Sequence, residues 1–368
     1  MIALNIPDNL PIRLNNPRVW RTYIGGSLID ELHGSKEGKI SQFPEEWIMS
    51  VVAARNAGRE HITDEGMSYL YDSPSLSLKE LLESNPEKYL GSRHAEKIGA
   101  VPGTLVKLID SAERLTLQVH PDRQTAMRLF NSPFGKTECW HILGGREING
   151  EKPCIYLGFQ KGVTREIWKD LFDRQDISGM LQAMQRFDTK PGDTIMIEAG
   201  MPHAIGAGCF LVEIQEPTDF TIRVERKTPA GLNVADFMCH QGLGFDKMFD
   251  AFHYDYFSKE EIRLRWFIQQ ERIAEEKCGT VSTLIGRKNT PLFRLDEINV
   301  SGSLTIKDEE CFSGLYVLDG KGKLETNGGT LRLEKTAQFF VPYRTGSLSI
   351  TADSDAPLKI LHFFGPEE

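Results

Sequence analysis

Residues 115–143 read LTLQVHPDRQTAMRLFNSPFGKTECWHIL, and the alternation within this stretch decides the fold. Side chains alternate across a strand, so Thr116, Gln118 and His120 share one face while Leu115, Leu117 and Val119 line the other. One hairpin later a second strand carries Lys136 and Glu138, two residues apart and therefore on one face, with His141 on the other. An imidazole, an amide oxygen and a carboxylate are ligands of the kind that hold a divalent metal inside a β-barrel. The stretch therefore predicts a metal site with a lysine beside it, in a mainly β protein.

At 368 residues the chain suits two domains. The expected division is a domain over residues 1–255, with helical insertions at about 77–99 and 164–187, followed by a smaller β domain over 256–368. Forty-three Lys and Arg against 52 Asp and Glu give a net charge of -9 without a basic tract, which argues against nucleic acid or an anionic membrane as partner. An anionic substrate must then be met by local positive charge. The six cysteines, 139, 154, 209, 239, 278 and 311, contain no CxxC pair and read as small core residues in a reducing compartment. The start, MIALNIPDNLPIRL, lacks a signal pattern, and no run is long and apolar enough to span a bilayer. The expected location is the cytoplasm. Oligomeric state is not legible.

Taken in order, residues 1–25 are rich in Pro and Asn and end at Gly25-Gly26, the pattern of an extended arm with a structural role. FPEEWIMSVVAARNAG (43–58) alternates as a strand does, and TLVKLI (104–109) reads as a strand in which Lys107 faces away from Val106 and Leu108 and needs a partner. Ser77 is placed to cap a helix, and Pro86 begins a second. Thr164 starts a helical stretch to Phe187, with Ile167, Leu171, Met180, Leu181 and Met184 as its buried stripe and Gly179 as a possible division. KPGDTIMIEAGMPHAIGAGCFLVEIQ (190–215) alternates turns with strands, 234–250 is helical text, and Ser258 with Glu261 forms a capping box. From Pro291 onward short β-like runs recur every 8 to 12 residues, the pattern of a small jelly roll or sandwich.

LTLQVHPD, GKTECW, MPHAIGAG and EIQEPTDFTIRVE, in that order, resemble the type I mannose-6-phosphate isomerases, zinc-dependent enzymes built from cupin jelly rolls. The resemblance covers roughly residues 15–250, and the last hundred match only as a β-rich, cupin-like domain. It implies one zinc ion per chain held by Gln118, His120, Glu138 and His203, and a phosphorylated hexose as the small-molecule substrate. The donor types agree independently. Two imidazoles, a carboxylate and an amide oxygen suit zinc and leave the loaded site with a formal charge of about +1, favourable for a sugar phosphate.

Interconverting an aldose and a ketose moves a proton between neighbouring carbons, which needs a base and a group that stabilises the developing oxyanion. Lys136 shares a face with Glu138, and positive neighbours favour the neutral amine a base needs; by resemblance it is the candidate base. The resemblance places Arg223 as the planar fork for an anion, against the bland reading of a salt bridge to Asp219 or Glu225. Glu213 either orients Arg223, shuttles a proton or is a structural acid. Lys107 and Thr116 fall at the family's phosphate contacts or are structural. Two departures stand out. Gly135 replaces a histidine that some relatives carry, proposed to assist ring opening, and Arg226 and Lys227 add charge near Arg223. The expected function is zinc-dependent interconversion of mannose 6-phosphate and fructose 6-phosphate through an enediol. The alternatives are an isomerase of another phosphorylated hexose and a non-catalytic sugar-phosphate-binding paralogue.

Overall fold

The structure, a computed structural model, describes residues 6–354 and 356–367. It is mainly β, as the alternation predicts, and its strands form four antiparallel sheets. Two of them make the site. A five-stranded sheet runs in the order Met184–Asp188, Cys154–Phe159, His203–Ile205, Gln118–Val119, Ile222–Arg223. A seven-stranded sheet is centred on Glu138–Gly145, Cys209–Gln215 and Leu105–Asp110, flanked by Thr194–Ile197 on one side and Glu45–Ile48 on the other. Side chains from these two sheets meet, Gln118 and His203 from the first and Glu138 from the second, so the sheets are the opposed walls of a jelly roll.

The strands that carry the motifs are shorter than their alternation suggests. Gln118–Val119 is only two residues long, and both His120 and Lys136 stand just outside their strands. Of the stretch read as a strand at 43–58, only Glu45–Ile48 pairs, and the chain leaves the sheet at Met49, whose φ is 52°. Leu105–Asp110 forms as expected, with all six residues buried.

Of the other two sheets, one joins strands from both ends of the chain. A nine-stranded sheet joins Arg294–Val300, Leu358–Phe364, Ser313–Asp319 and Gln338–Val341 to Ile12–Leu14, which pairs with Gln338–Val341 in the register Ile12↔Phe340, Leu14↔Gln338. It packs on a four-stranded sheet, Ser303–Ile306 to Gly329–Glu334, around Ile298, Leu315, Val317, Leu324, Phe339 and Ile350. The runs read after Pro291 are these strands. A larger core crosses between the two halves through Ile48, Trp140, Phe293, Tyr316, Phe340 and Phe363. Hydrogen bonds follow it, Tyr316 to Glu46 Oε1 at 2.8 Å and the Met49 amide to Gln338 Oε1 at 2.8 Å.

The helices start where the capping residues say. Ser77 and Ser258 each form a complete capping box, over Leu78–Ser84 and Lys259–Trp266, and Pro86 opens Pro86–Leu90. Thr164 caps Arg165–Asp173. The helical reading of 164–187 needs correction beyond that point. The break comes at Gln175, with φ 49°, and Asp176 caps a new helix, Ile177–Gln182, that contains Gly179. Met184–Asp188 is then a strand, paired with Cys154–Phe159. The buried residues of the first helix are Trp168 and Phe172, while Ile167 is 46% exposed.

Candidate active site

The cross-strand register assembles a polar strip inside the jelly roll. Lys107 lies opposite Glu213, and Glu213 opposite Trp140, across three neighbouring strands. Each pairing becomes a contact, because directly opposed side chains lie on the same face of the sheet. Lys107 Nζ donates to Glu213 Oε1 at 2.9 Å, and Trp140 Nε1 donates to Glu213 Oε2 at 2.9 Å. On the facing sheet His203 and Arg223 both lie opposite Gln118. Lys107, Thr116, Gln118, Lys136, Glu213 and Arg223 thus line one small pocket of about 30 Å³, room for about one water.

At its base one nitrogen of His120, one nitrogen of His203 and one oxygen of Glu138 lie within 4.8 Å of one another, all buried. The orientation of each imidazole is dictated by its other nitrogen. His120 Nδ1 is 2.8 Å from the Phe220 carbonyl oxygen, and His203 Nδ1 is 2.8 Å from the Met201 carbonyl oxygen. A carbonyl only accepts, so each Nδ1 carries the hydrogen, and each neutral ring presents an Nε2 lone pair to the site. These two Nε2 atoms are 3.1 Å apart and cannot bond to one another. Glu138 Oε2 is 3.1 Å from His120 Nε2, and Oε1 has no hydrogen-bond partner although it is fully buried and 3.5 Å from His203 Nε2.

Two inward lone pairs and an unpaired carboxylate oxygen make a candidate cation site, and the donor set fits zinc. Gln118 Nε2 lies 3.3 Å from His203 Nε2, so rotating this amide by half a turn would offer its oxygen as a fourth donor. Burial drives the His120 imidazole down to about 3, aided by the Lys136 charge, and burial also lowers His203, so both rings stay neutral. Burial alone would raise Glu138, but the Lys136 charge holds it well below the usual carboxylate range.

Lys136 Nζ reaches into this cluster, 2.6 Å from His120 Nε2 and 2.7 Å from Glu138 Oε2. Arg223 is 5% exposed and donates through Nη1 to the carbonyls of Thr221 at 3.1 Å and Met238 at 2.9 Å. Among the described residues it forms no ion pair. Asp219 is taken by Arg21 and Glu225 by Arg114, which removes the salt-bridge reading of Arg223. Burial, with the Arg21 charge, lowers its guanidinium to about 10. Glu213 does not orient Arg223; its partners are Lys107 and Trp140. Burial and the charge of Glu138 push the Glu213 carboxyl up, while burial is outweighed at Lys107 by Glu213, Glu45 and Asp219, which raise it. His141 points away from the site and bonds Thr194 Oγ1 at 2.8 Å.

Several residues of the site were not singled out from the sequence. Arg21, Thr22 and Tyr23 line the pocket, so the N-terminal arm belongs to the site and is not merely structural. Glu45 lines it too and holds Tyr23 Oη and Trp47 Nε1, each at 2.7 Å. Trp140 stands two residues after Glu138, and alternation alone could have found it; Arg21 has no such signal. At Gly135 a Cβ atom would come within 2.7 Å of the Pro121 carbonyl oxygen and 2.8 Å of the Arg123 nitrogen. A histidine is excluded there by this backbone. A separate cleft of about 750 Å³ is lined by residues 217–220, Met238, Arg55 and Phe130 among others, and has no lining residue in common with the small pocket.

Comparison with known proteins agrees with the motifs. The sequence model of the mannose-6-phosphate isomerase cupin domain matches residues 288–355. The chain is 26% identical over 268 residues to mannose-6-phosphate isomerase ManA of Bacillus subtilis, covering 71% of this chain and 77% of that protein. Its fold superimposes on the crystal structure of the Bacillus subtilis mannose 6-phosphate isomerase with a TM-score of 0.72 at 23% identity, over 96% of this chain and 99% of that one. A zinc-bound mannose 6-phosphate isomerase superimposes with a TM-score of 0.69 at 13% identity, over 97% and 99% of the two chains. The resemblance to the mannose-6-phosphate isomerases therefore extends over sequence and fold.

Proposed function

We propose that this protein is a zinc-dependent aldose-ketose isomerase that interconverts mannose 6-phosphate and fructose 6-phosphate. The observation that carries the reading is the pair of imidazoles locked with their Nε2 lone pairs facing the Glu138 carboxylate, one oxygen of which is bare, with Lys136 at the same point. His120, His203, Glu138 and Gln118 would hold the zinc. When bound, it supplies a Lewis acid for the oxygens on the two reacting carbons.

The residues around it divide the remaining work. As the neutral amine, Lys136 takes the proton from C2 of the open-chain aldose and returns it to C1, while O1 gains a proton to form the enediol and O2 gives up its hydroxyl proton as the ketose forms, so atoms and charge balance within the substrate and the amine. Arg223, which carries no carboxylate of its own, is available to an anion on the substrate. Lys107 uses one hydrogen on Glu213 and has two left, and with the Thr116 hydroxyl it is assigned to the phosphate side. Glu213, its carboxyl raised, fixes Lys107 and is the second candidate for proton transfer. The inner pocket, about 30 Å³, is smaller than a whole sugar phosphate.

All six cysteines are unpaired, which suits the cytoplasm. Among the described residues no helix is long and apolar enough to cross a membrane. The test is metal analysis joined to a coupled assay. Mannose 6-phosphate should yield fructose 6-phosphate, and the rate should fall on chelation and return with zinc. Conversion of a different hexose phosphate alone would favour the alternative isomerase, and binding without turnover a paralogue that has lost catalysis.

A further inference from the structure

The zinc reading leaves open what holds His120 in its ligating orientation. Its Nδ1–H has one acceptor, the carbonyl of Phe220 at 2.8 Å. Phe220 sits between the strands Cys209–Gln215 and Ile222–Arg223, where no ladder fixes the backbone. The residue before it, Asp219, is instead clamped by its side chain. Arg21 Nη1 and Nη2 each donate to it at 3.0 Å, one to each oxygen, and the Arg55 amide donates at 2.9 Å. Arg21 is in turn fixed. Its Nε is 3.2 Å from Glu45 Oε1, its own amide donates to the Gln42 carbonyl at 2.9 Å, and it is 6% exposed.

We infer that Arg21 is a positioning residue of the metal centre: through Asp219 it sets the Phe220 carbonyl that fixes the tautomer and angle of His120. The inference rests on the zinc reading. A planar fork bound to both oxygens of one carboxylate fixes direction as well as distance, which a single point charge does not. If the fork is removed, the carbonyl is free to turn away from Nδ1. The ring can then shift its hydrogen to Nε2, the atom the metal needs bare. Ion pairing for stability alone would not require this chain of contacts to end on a metal ligand.

The test uses the full chain, stripped of metal and titrated with zinc against a chromophoric chelator, with the visible bands of the cobalt-loaded protein as a second readout. Arg21→Gln should bind zinc about 10-fold more weakly than the unaltered protein and shift the cobalt bands, the low end of what loss of an outer partner does to a metal site. Arg294→Gln breaks another buried pair, with Asp296 in the C-terminal sheet; it should lower the melting temperature without moving zinc affinity. An Arg21→Gln protein with zinc affinity within about twofold of the unaltered chain and unchanged cobalt bands overturns the inference. Should that variant not fold, Arg21→Lys, which keeps the charge and loses the fork, decides in the same way. If the unaltered chain binds neither zinc nor cobalt, the metal centre itself is refuted, and the inference falls with it.

Discussion

Replacing Lys136 with Met separates the roles of metal ligand and base in one experiment. His120 Nε2 has a single lone pair, and that lone pair accepts from Lys136 Nζ at 2.6 Å. It cannot also bind a metal, so loading zinc must break this charge-assisted bond, worth about 1.5–3 kcal/mol. Glu138 Oε2, with a second lone pair, is under no such constraint. Deleting the amine removes the competitor, and Lys136→Met should therefore bind zinc about 10–100-fold more tightly than the unaltered protein. The metal-free variant behaves oppositely. It leaves Glu138, fully buried, without its cation, which costs about 3–5 kcal/mol of stability that zinc should largely restore. Turnover of mannose 6-phosphate should nevertheless fall roughly 100-fold or more, because the base is gone. Chelator competition, denaturation with and without zinc, a coupled assay and exchange of the C2 hydrogen with deuterated solvent give the four readouts. Weaker zinc binding in the variant would refute the competition argument. Normal exchange in a zinc-loaded variant would remove Lys136 as base and pass the role to Glu213, while a raised KM with an intact kcat would make it a phosphate contact.

Arg223→Lys should lower turnover about 10–100-fold with the fold intact, because one ammonium cannot span the Thr221 and Met238 carbonyls and still offer a fork to an anion; near-normal kinetics would take Arg223 out of the site. His203→Ala should lose most of its zinc in metal analysis, whereas His141→Ala, whose ring bonds Thr194 on the other face, should keep it. Asp296 gives a test of pH dependence remote from the site: burial pushes its carboxyl up to about 6 against the pull of Arg294, and its Oδ1 has no partner. With the folded value above the ordinary 3.8, the folded chain keeps a proton that the unfolded chain releases, so stability from this group is full below about 4 and lost as pH rises through 6. Asp296→Asn should then gain up to roughly 3 kcal/mol over the unaltered protein at pH 7 and almost nothing at pH 4, and equal differences at both would refute the assignment.

The period of two was enough to place the polar faces. Glu138 and Trp140 point inward and His141 outward, as the alternation requires, while the pairing of Gln118 with His203 is set by a cross-strand register that the period does not specify. Capping residues located helix starts well because each is a local contract between one side chain and the next few amides, as at Ser77, Thr164 and Ser258. Helix ends and strand lengths were harder. Met184–Asp188 carries helical spacing but pairs with Cys154–Phe159, and the strand edge offered there by tertiary structure outweighs the local pattern.

What alternation cannot supply is the partner. It says that Lys107 faces inward and needs a counter-charge, yet only the register of three strands decides that Glu213 is that counter-charge, leaving Arg223 without a carboxylate. Arg21 is the extreme case. It lies in a stretch rich in Pro and Asn that reads as an arm, and its partner Asp219 is 198 positions away. No local period spans that distance. The arm must be ordered anyway, because Ile12–Leu14 completes the C-terminal sheet while Arg18–Val19 pairs with Glu45–Ile48, so both flanks of residues 15–17 are held in different sheets. Arg21 thus enters the site on a backbone fixed from both halves of the chain. A substitution that loosens the C-terminal sheet at Phe340 or Gln338 therefore has a direct mechanical route to His120, through the arm, Arg21, Asp219 and the carbonyl of Phe220.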